Sequence, residues 1–189
     1  MIGIIVRSMA LELFFERPAA QVAGALIGAE FLVQGIGGVI VETEAYASDD
    51  PASHSFKGQN VRNSAMYGSP GSMYVYRCYG LHWCLNFVCL PGSAVLLRAI
   101  EPKAGIALMM SRRNIENPLL LCSGPGRLCQ ALAVDGRLNG LSLVDSPFHL
   151  NLPKEPASLC VGTRMGISKA IDLPWRFGLQ GSPFLSIRF

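Results

Sequence analysis

The chain has 189 residues, half of them hydrophobic and 15% charged, with a net charge of +3. That composition builds a core and excludes a disordered chain, and the length fits one domain spanning residues 1–189. No uninterrupted apolar run reaches the roughly 18–20 residues that a membrane-spanning helix needs. Six cysteines without a CxxC pair, beside only three histidines, argue against a structural zinc site.

The opening MIGIIVRSMALELFF is apolar but broken by Arg7 and Glu12, and it has neither the basic flank nor the cleavage site of a secretory signal. Together with free cysteines placed in apolar runs, this predicts a soluble protein of a reducing compartment. Arg17-Pro18 followed by AAQVAGALIG reads as a helix with proline in its first turn, ending at Gly28. GGVIVETEAYA reads as a strand opened by Gly37-Gly38. Residues 48–72 form a polar stretch dense in turn residues, too long for a simple connection. SMYVYRCYG and HWCLNFVCL read as two strands joined by a tight turn at Tyr79-Gly80, and AVLLRAIEP as a third strand. KAGIALMMSRRN reads as a helix, SGPGRLCQALAV as a turn opening another, and SLCVGTRMGIS and PWRFGLQGSPFLS as short strands and loops. The pattern predicts an α+β fold, with a curved, mostly antiparallel sheet surrounded by helices.

Charge is unevenly spread. Residues 1–50 carry seven acids against Arg7 and Arg17, whereas residues 57–113 carry seven basic residues against Glu101 alone. A basic central stretch is compatible with a polyanion-binding face and equally with an unevenly charged solvated surface. Twelve of the sixteen basic residues are Arg, whose planar fork suits phosphate.

Strand alternation places Glu42, Glu44 and Tyr46 on one face and Val41, Thr43 and Ala45 on the other. With the apolar face in the core, the carboxylates and the ring sit on the opposite surface. The same alternation puts Tyr74 and Tyr76 on one face, with Tyr79 at the turn. Aromatic rings beside a carboxylate suit hydrolysis on a flat base; an amphipathic sheet with tyrosines at its rim has the same pattern. SGPGRL directs backbone N–H groups toward a helix start, which suits a phosphate or is a plain helix entry. No dinucleotide, P-loop or nucleophile-elbow motif is present.

ERPAAQVAGALIG, VETEAY, DDPASHSFKGQNVRN, MYGSPGSMYVYRCYGLHWCLN, AVLLRAIEP, LCSGPGRLCQALAV and RMGI…PWRF occur in the order seen in the 3-methyladenine (alkyladenine) DNA glycosylases, which the chain resembles from about Phe15 to Phe184. The resemblance implies a compact α+β domain without a cofactor or metal. It implies a monomeric enzyme whose partner is double-stranded DNA carrying damaged purines. Glu44 matches the carboxylate that activates water, and Arg98 the arginine that helps hold both. Tyr46, His54 and Tyr76 match the residues lining the base pocket, and Asn86 the residue that crowds the 2-amino group of guanine. Tyr79 matches a wedge, on a protruding β-hairpin, that enters the duplex where the base leaves. Arg62, Arg77, Arg112 and Arg113 are the candidates for contacts to the DNA backbone. No lysine lies in the pocket motifs, so the resemblance implies a monofunctional glycosylase without lyase activity. It places the protein in the cytoplasm on the nucleoid, or in the nucleus if eukaryotic.

Two departures accompany the resemblance. Asn60-Val61 stands where a Thr-Pro pair is common. Phe177-Gly178 lacks a second aromatic, which predicts looser packing at the C-terminal end.

Overall fold

A computed structural model describes residues 2–189. Two helices, α1 (Ile2–Phe15) and α2 (Ala19–Ala25), precede the first hairpin, β1 (Glu30–Val33) and β2 (Ile36–Tyr46). A 3-10 turn (Ser64–Tyr67) lies in the long polar loop. Next come β3 (Met73–Cys78), β4 (His82–Val88), β5 (Ala94–Ala104), α3 (Ile106–Arg113) and α4 (Pro125–Leu132). The short strands β6 (Phe148–Asn151), β7 (Leu159–Gly162) and β8 (Arg176–Leu179) complete the chain. Among the described residues no helix is long and apolar enough to cross a membrane.

Every strand pair is antiparallel, in the order β3-β4-β5-β2-β1-β6. β2 forks: its first half pairs with β1, and its second half, Glu42–Glu44, with β8, which pairs in turn with β7. The α+β expectation holds. The helix predicted after Pro18 forms and buries Ala19, Val22 and Ala23, the i, i+3, i+4 stripe of an amphipathic helix. Lys103 and Ala104, expected to open α3, instead extend β5, and Gly105 turns the chain at φ 71°.

The sheet has two different faces. Ala45, Val75, Leu85, Phe87, Val95 and Leu97 point into the main core, against α2 and α4. Phe87 there meets Phe15 and Phe31 edge-on, at centroid distances of 5.8 and 5.1 Å. Thr43 on this face donates its hydroxyl to the Ala23 carbonyl at 2.9 Å. The alternate residues point the other way, toward a smaller cluster of Met66, Tyr74, Val88 and Ala94 with Tyr76 packed against it.

Bulges aim side chains across this second face. Thr43 faces Leu97 and Glu42 faces Ala99, so Arg98 is an extra residue in β5; Val41 is its counterpart in β2, between Ile40 and Glu42. An extra residue bends its strand and redirects its side chain. At the start of β2, a Cβ on Gly38 would collide with the Glu101 carbonyl, so only glycine allows β5 to approach there.

One expectation is corrected. Glu42 and Glu44 share a face opposite the main core, as alternation predicts, but neither reaches solvent; both are 0% exposed. The polar loop of residues 48–72 and the C-terminal segment close over that face. The loop is pinned by Ser55 donating to the Gly92 carbonyl at 2.5 Å, and by Asn63 donating to the carbonyls of His54 and Gly58 at 2.9 and 3.0 Å. At the C-terminal end the Phe189 ring lies over Gly178, 3.8 Å from the Arg176 guanidinium.

Candidate active site

A cleft of about 870 Å³ opens on the second face, a size that accommodates a flat bicyclic ligand. Tyr46, His54, Tyr74, Tyr76, Asn86 and Arg98 line it. Tyr74 and Tyr76, two residues apart on β3, stack with centroids 5.3 Å apart and planes 26° apart. His54 comes from the loop; its Nδ1 is 2.8 Å from the Tyr74 hydroxyl, and its ring meets Tyr76 edge-on at 4.5 Å. Partial burial and the Arg62 guanidinium lower the His54 pKa below the ordinary imidazole value. Asn86, buried, donates Nδ2 to the Tyr74 carbonyl at 3.0 Å.

Glu44 stands directly behind this cleft, in contact with three of its walls. Its Oε2 accepts the Tyr46 hydroxyl at 2.9 Å, and its Oε1 accepts the Met165 N–H at 2.7 Å and lies 3.2 Å from the Arg98 guanidinium. A carboxylate has about four acceptor positions; Tyr46 alone donates to Oε2, which leaves an acceptor position there. Burial raises the Glu44 pKa above the ordinary 4.5, opposed by Arg98, the Met165 amide and Tyr46. Glu42 adds a smaller upward push, so like-charge repulsion is not the leading cause.

Arg98 spans both carboxylates. Its Nε donates to Glu42 Oε1 at 2.9 Å while its other arm reaches Glu44. Burial works against its charge, but Glu44 and Glu42 outweigh that and hold its pKa above the ordinary arginine value. Glu42 also accepts from Ser186 N–H at 2.5 Å, from Ser186 Oγ at 2.9 Å and from Arg176 at 3.3 Å. Glu42 thus accepts from four donors, three on Oε1 and one on Oε2, whereas Glu44 accepts from two and has the Arg98 charge beside it. The two acids, two residues apart, are therefore not equivalent: Glu42 is the more heavily tied of the two.

A sequence model of the methylpurine-DNA glycosylases matches residues 13–183. The chain belongs to that family. Among its relatives are proteins provisionally named 3-methyladenine DNA glycosylases. The one from Agrobacterium fabrum is 62% identical over 176 residues, covering 93% of this chain and 91% of the relative. That from Rhizobium meliloti is 60% identical, covering 93% and 95%, and that from Nitrosospira multiformis 55% identical, covering 93% and 92%.

In this member of the methylpurine-DNA glycosylase family, the structure brings Glu44, Arg98, Tyr46, His54, Tyr76 and Asn86 together at one cleft. Tyr79 stands apart at the β3–β4 tip, 87% exposed, with Tyr79 and Gly80 both at positive φ (48° and 71°), the geometry of a tight hairpin turn. The four arginines divide. Arg62 lines the cleft, and Arg77 lies on the hairpin with its guanidinium 5.7 Å from the Trp83 ring centroid. Arg113 lines a shallower second cleft with Arg127, Arg98 and the start of α4, whereas Arg112 is turned inward to the Ala131 carbonyl at 2.9 Å.

Sequence reasoning missed Arg164 and Asp50, a fully buried ion pair 114 residues apart in the chain. The Arg164 guanidinium lies 4.7 Å from the Tyr46 ring centroid and donates to the Ala45 carbonyl at 2.9 Å, which fixes the end of β2. RMGI carried that signal as part of the resemblance, but nothing in the sequence pairs it with DDPASH.

Proposed function

We propose that this protein is a monofunctional DNA glycosylase that takes alkylated or deaminated purines, 3-methyladenine among them, out of duplex DNA and hydrolyses their N-glycosidic bond. The observation that carries the reading is the buried Glu44 carboxylate, held by Arg98, Tyr46 and Met165 directly behind an aromatic-lined cleft roomy enough for a purine.

A water bound at the remaining Glu44 acceptor position attacks C1′ of the extruded nucleotide and gives its proton to the carboxylate. The C1′–N bond breaks, and the base departs with the electron pair. Positive charge builds on the sugar as that bond lengthens, and the Glu44 carboxylate stabilises it. A base cationic through alkylation leaves as a neutral molecule without further protonation. Arg98 holds Glu44 in position and is itself held by Glu42.

Specificity follows from stacking. Tyr46, Tyr76 and the His54 ring present π-faces and edges to a flat base, favouring cationic purines without reading hydrogen-bonding edges. Asn86 crowds the 2-amino group of guanine and so rejects the normal base. Tyr79 inserts into the duplex as the nucleotide leaves and recovers part of the unstacking cost, a few kcal/mol. Arg62, Arg77 and Arg113, with the α4 N-terminus, face the DNA backbone; Arg112, tied to Ala131, contributes through the fold. The product is an abasic site with an intact backbone; Lys169, which lies outside the motifs but nevertheless lines the cleft, is the amine whose borohydride-trappable attack on C1′ would overturn that.

The test is release of free 3-methyladenine from methylated duplex DNA by the wild type and by Glu44→Gln. Release by the wild type, and its loss by at least about 100-fold in the variant with DNA binding retained, is the expected result. Equal release by both proteins would remove Glu44 from the mechanism, and no release by the wild type would remove the activity.

A further inference from the structure

The β3–β4 hairpin carries three metal-binding side chains that the glycosylase reading does not use. Cys78 and His82 face each other in register, and Cys84 lies two residues beyond His82 on the same face. Their ligand atoms (two thiol sulfurs and an imidazole nitrogen) all lie within 4.8 Å of one another. Tetrahedral zinc, with Zn–S of about 2.3 Å and Zn–N of about 2.0 Å, requires separations of about 3.5–3.8 Å, within reach of small side-chain rotations.

The frame around these ligands is rigid. Paired strands fix the backbone, and the His82 ring packs over Gly126 in the first turn of α4, where a Cβ would come within 2.7 Å of it. The three residues grade from exposed His82 through half-buried Cys78 to buried Cys84, from the rim of the base cleft to its wall. Cys84 faces Tyr76 across the β3–β4 pair.

We propose that Cys78, His82 and Cys84 form a binding site for a thiophilic divalent cation of the zinc class, and that an occupied site closes the base cleft. Two thiolates and one neutral imidazole suit a borderline-soft cation and not magnesium or calcium. Three protein ligands leave a fourth coordination position, and the site's place in the cleft wall directs it into the cavity. Binding replaces the two thiol protons with metal–sulfur bonds and releases those protons to solvent. The C-x3-H-x-C spacing escapes a search for paired CxxC motifs because the hairpin, not a loop or helix turn, brings the ligands together. Closure of the cleft rests on the proposed function; the metal site itself does not.

The experiment uses the full, reduced chain. Zn²⁺ is titrated against a competing chelator, and Co²⁺ is added in parallel to look for the thiolate-to-cobalt absorption band, with Mg²⁺ as a control. One Zn²⁺ per chain, a thiolate band, and at least about tenfold weaker binding in Cys78→Ser and in His82→Ala are expected, with no change in Cys160→Ser. The Cys78 and His82 positions reach the surface, so those variants remain informative should Cys84→Ser fail to fold. Zn²⁺ should also abolish base release by the wild type, reversibly on chelation, and have no such effect on the Cys78→Ser/His82→Ala double variant. Absence of the thiolate band, or unchanged affinity in the variants, overturns the site. Stoichiometric binding with base release undiminished overturns closure of the cleft. A chain that releases no base even without metal refutes the proposed function, while the titrations still decide the site.

Discussion

The Tyr46 hydroxyl donates to Glu44 Oε2 at 2.9 Å, two residues away along one strand. Because strand neighbours at i and i+2 share a face, this contact is local and survives any movement of the loops above it. It favours the ionised carboxylate and opposes the upward push of burial. In Tyr46→Phe that opposition is lost, and the Glu44 pKa rises further. Base release near neutral pH should fall several-fold and recover partly at higher pH, with the acidic limb of the pH–rate profile displaced upward. A one-unit displacement corresponds to about 1.4 kcal/mol. A limb at the same pH in both proteins would dissociate Tyr46 from the titration of Glu44.

Glu44 itself weakens the fold at neutral pH. Its folded pKa lies above the ordinary 4.5, so between those values the folded chain holds more protons than the unfolded chain. The stability it contributes is fully present below 4.5 and is lost as pH rises through the folded value. Glu44→Gln removes that titration while keeping an acceptor for Met165 and Arg98. Thermal melts from about pH 4 to about pH 8 should show a melting temperature that rises relative to wild type with pH. A pH-independent difference would contradict this.

Tyr79 holds a left-handed backbone conformation at φ 48°, which costs a side-chain-bearing residue about 1–2 kcal/mol. Tyr79→Gly relieves that strain at a position without packing, so the variant should melt at or above the wild-type temperature. On the proposed function, base release from duplex DNA should nevertheless drop by about tenfold, equivalent to about 1.4 kcal/mol of lost stacking. Matched melts and single-turnover assays read the two effects separately.

Asp50 and Arg164 form an ion pair with both side chains 0% exposed. Removing one partner strands the other as a buried charge, at a cost of about 3–5 kcal/mol. Asp50→Ala should lower the denaturation midpoint by a corresponding amount in urea. It should also reduce base release, since Arg164 holds the end of β2 beside Tyr46. A variant as stable as wild type would mean that the pair contributes nothing beyond its own desolvation.

Much of this arrangement was legible in the sequence, for local reasons. Alternation placed Glu42, Glu44 and Tyr46 on one face and Tyr74 with Tyr76 on another strand, and Tyr79-Gly80 marked the hairpin turn. What alternation cannot supply is what covers a face. The carboxylates looked solvated because the segments that bury them lie far along the chain, at Met165 and Ser186. Arg98 was placed in a strand, but its reach to two acids depends on a bulge, which is a property of the pairing with β2. β1 and β6 pair with each other from distant parts of the chain, a pairing that local alternation does not specify. The helix α1 has no acidic residue in its first turn and no basic residue in its last, so the sequence marks neither of its ends.

The order in which a ribosome delivers this chain sets when the site can exist. The buried residues of the core facing α2 and α4 all precede Asn151, and Leu152, Ala157, Trp175, Phe177 and Leu179 pack onto them later. Ser186, which gives Glu42 two of its four donors, and Phe189, which packs over Gly178 and 3.8 Å from the Arg176 guanidinium, emerge last. A nascent chain can therefore hold a nearly complete sheet and helices while Glu42, and through it Arg98, still lacks its anchors. On the proposed function, catalysis thus depends on residues 186–189 even though the main core does not.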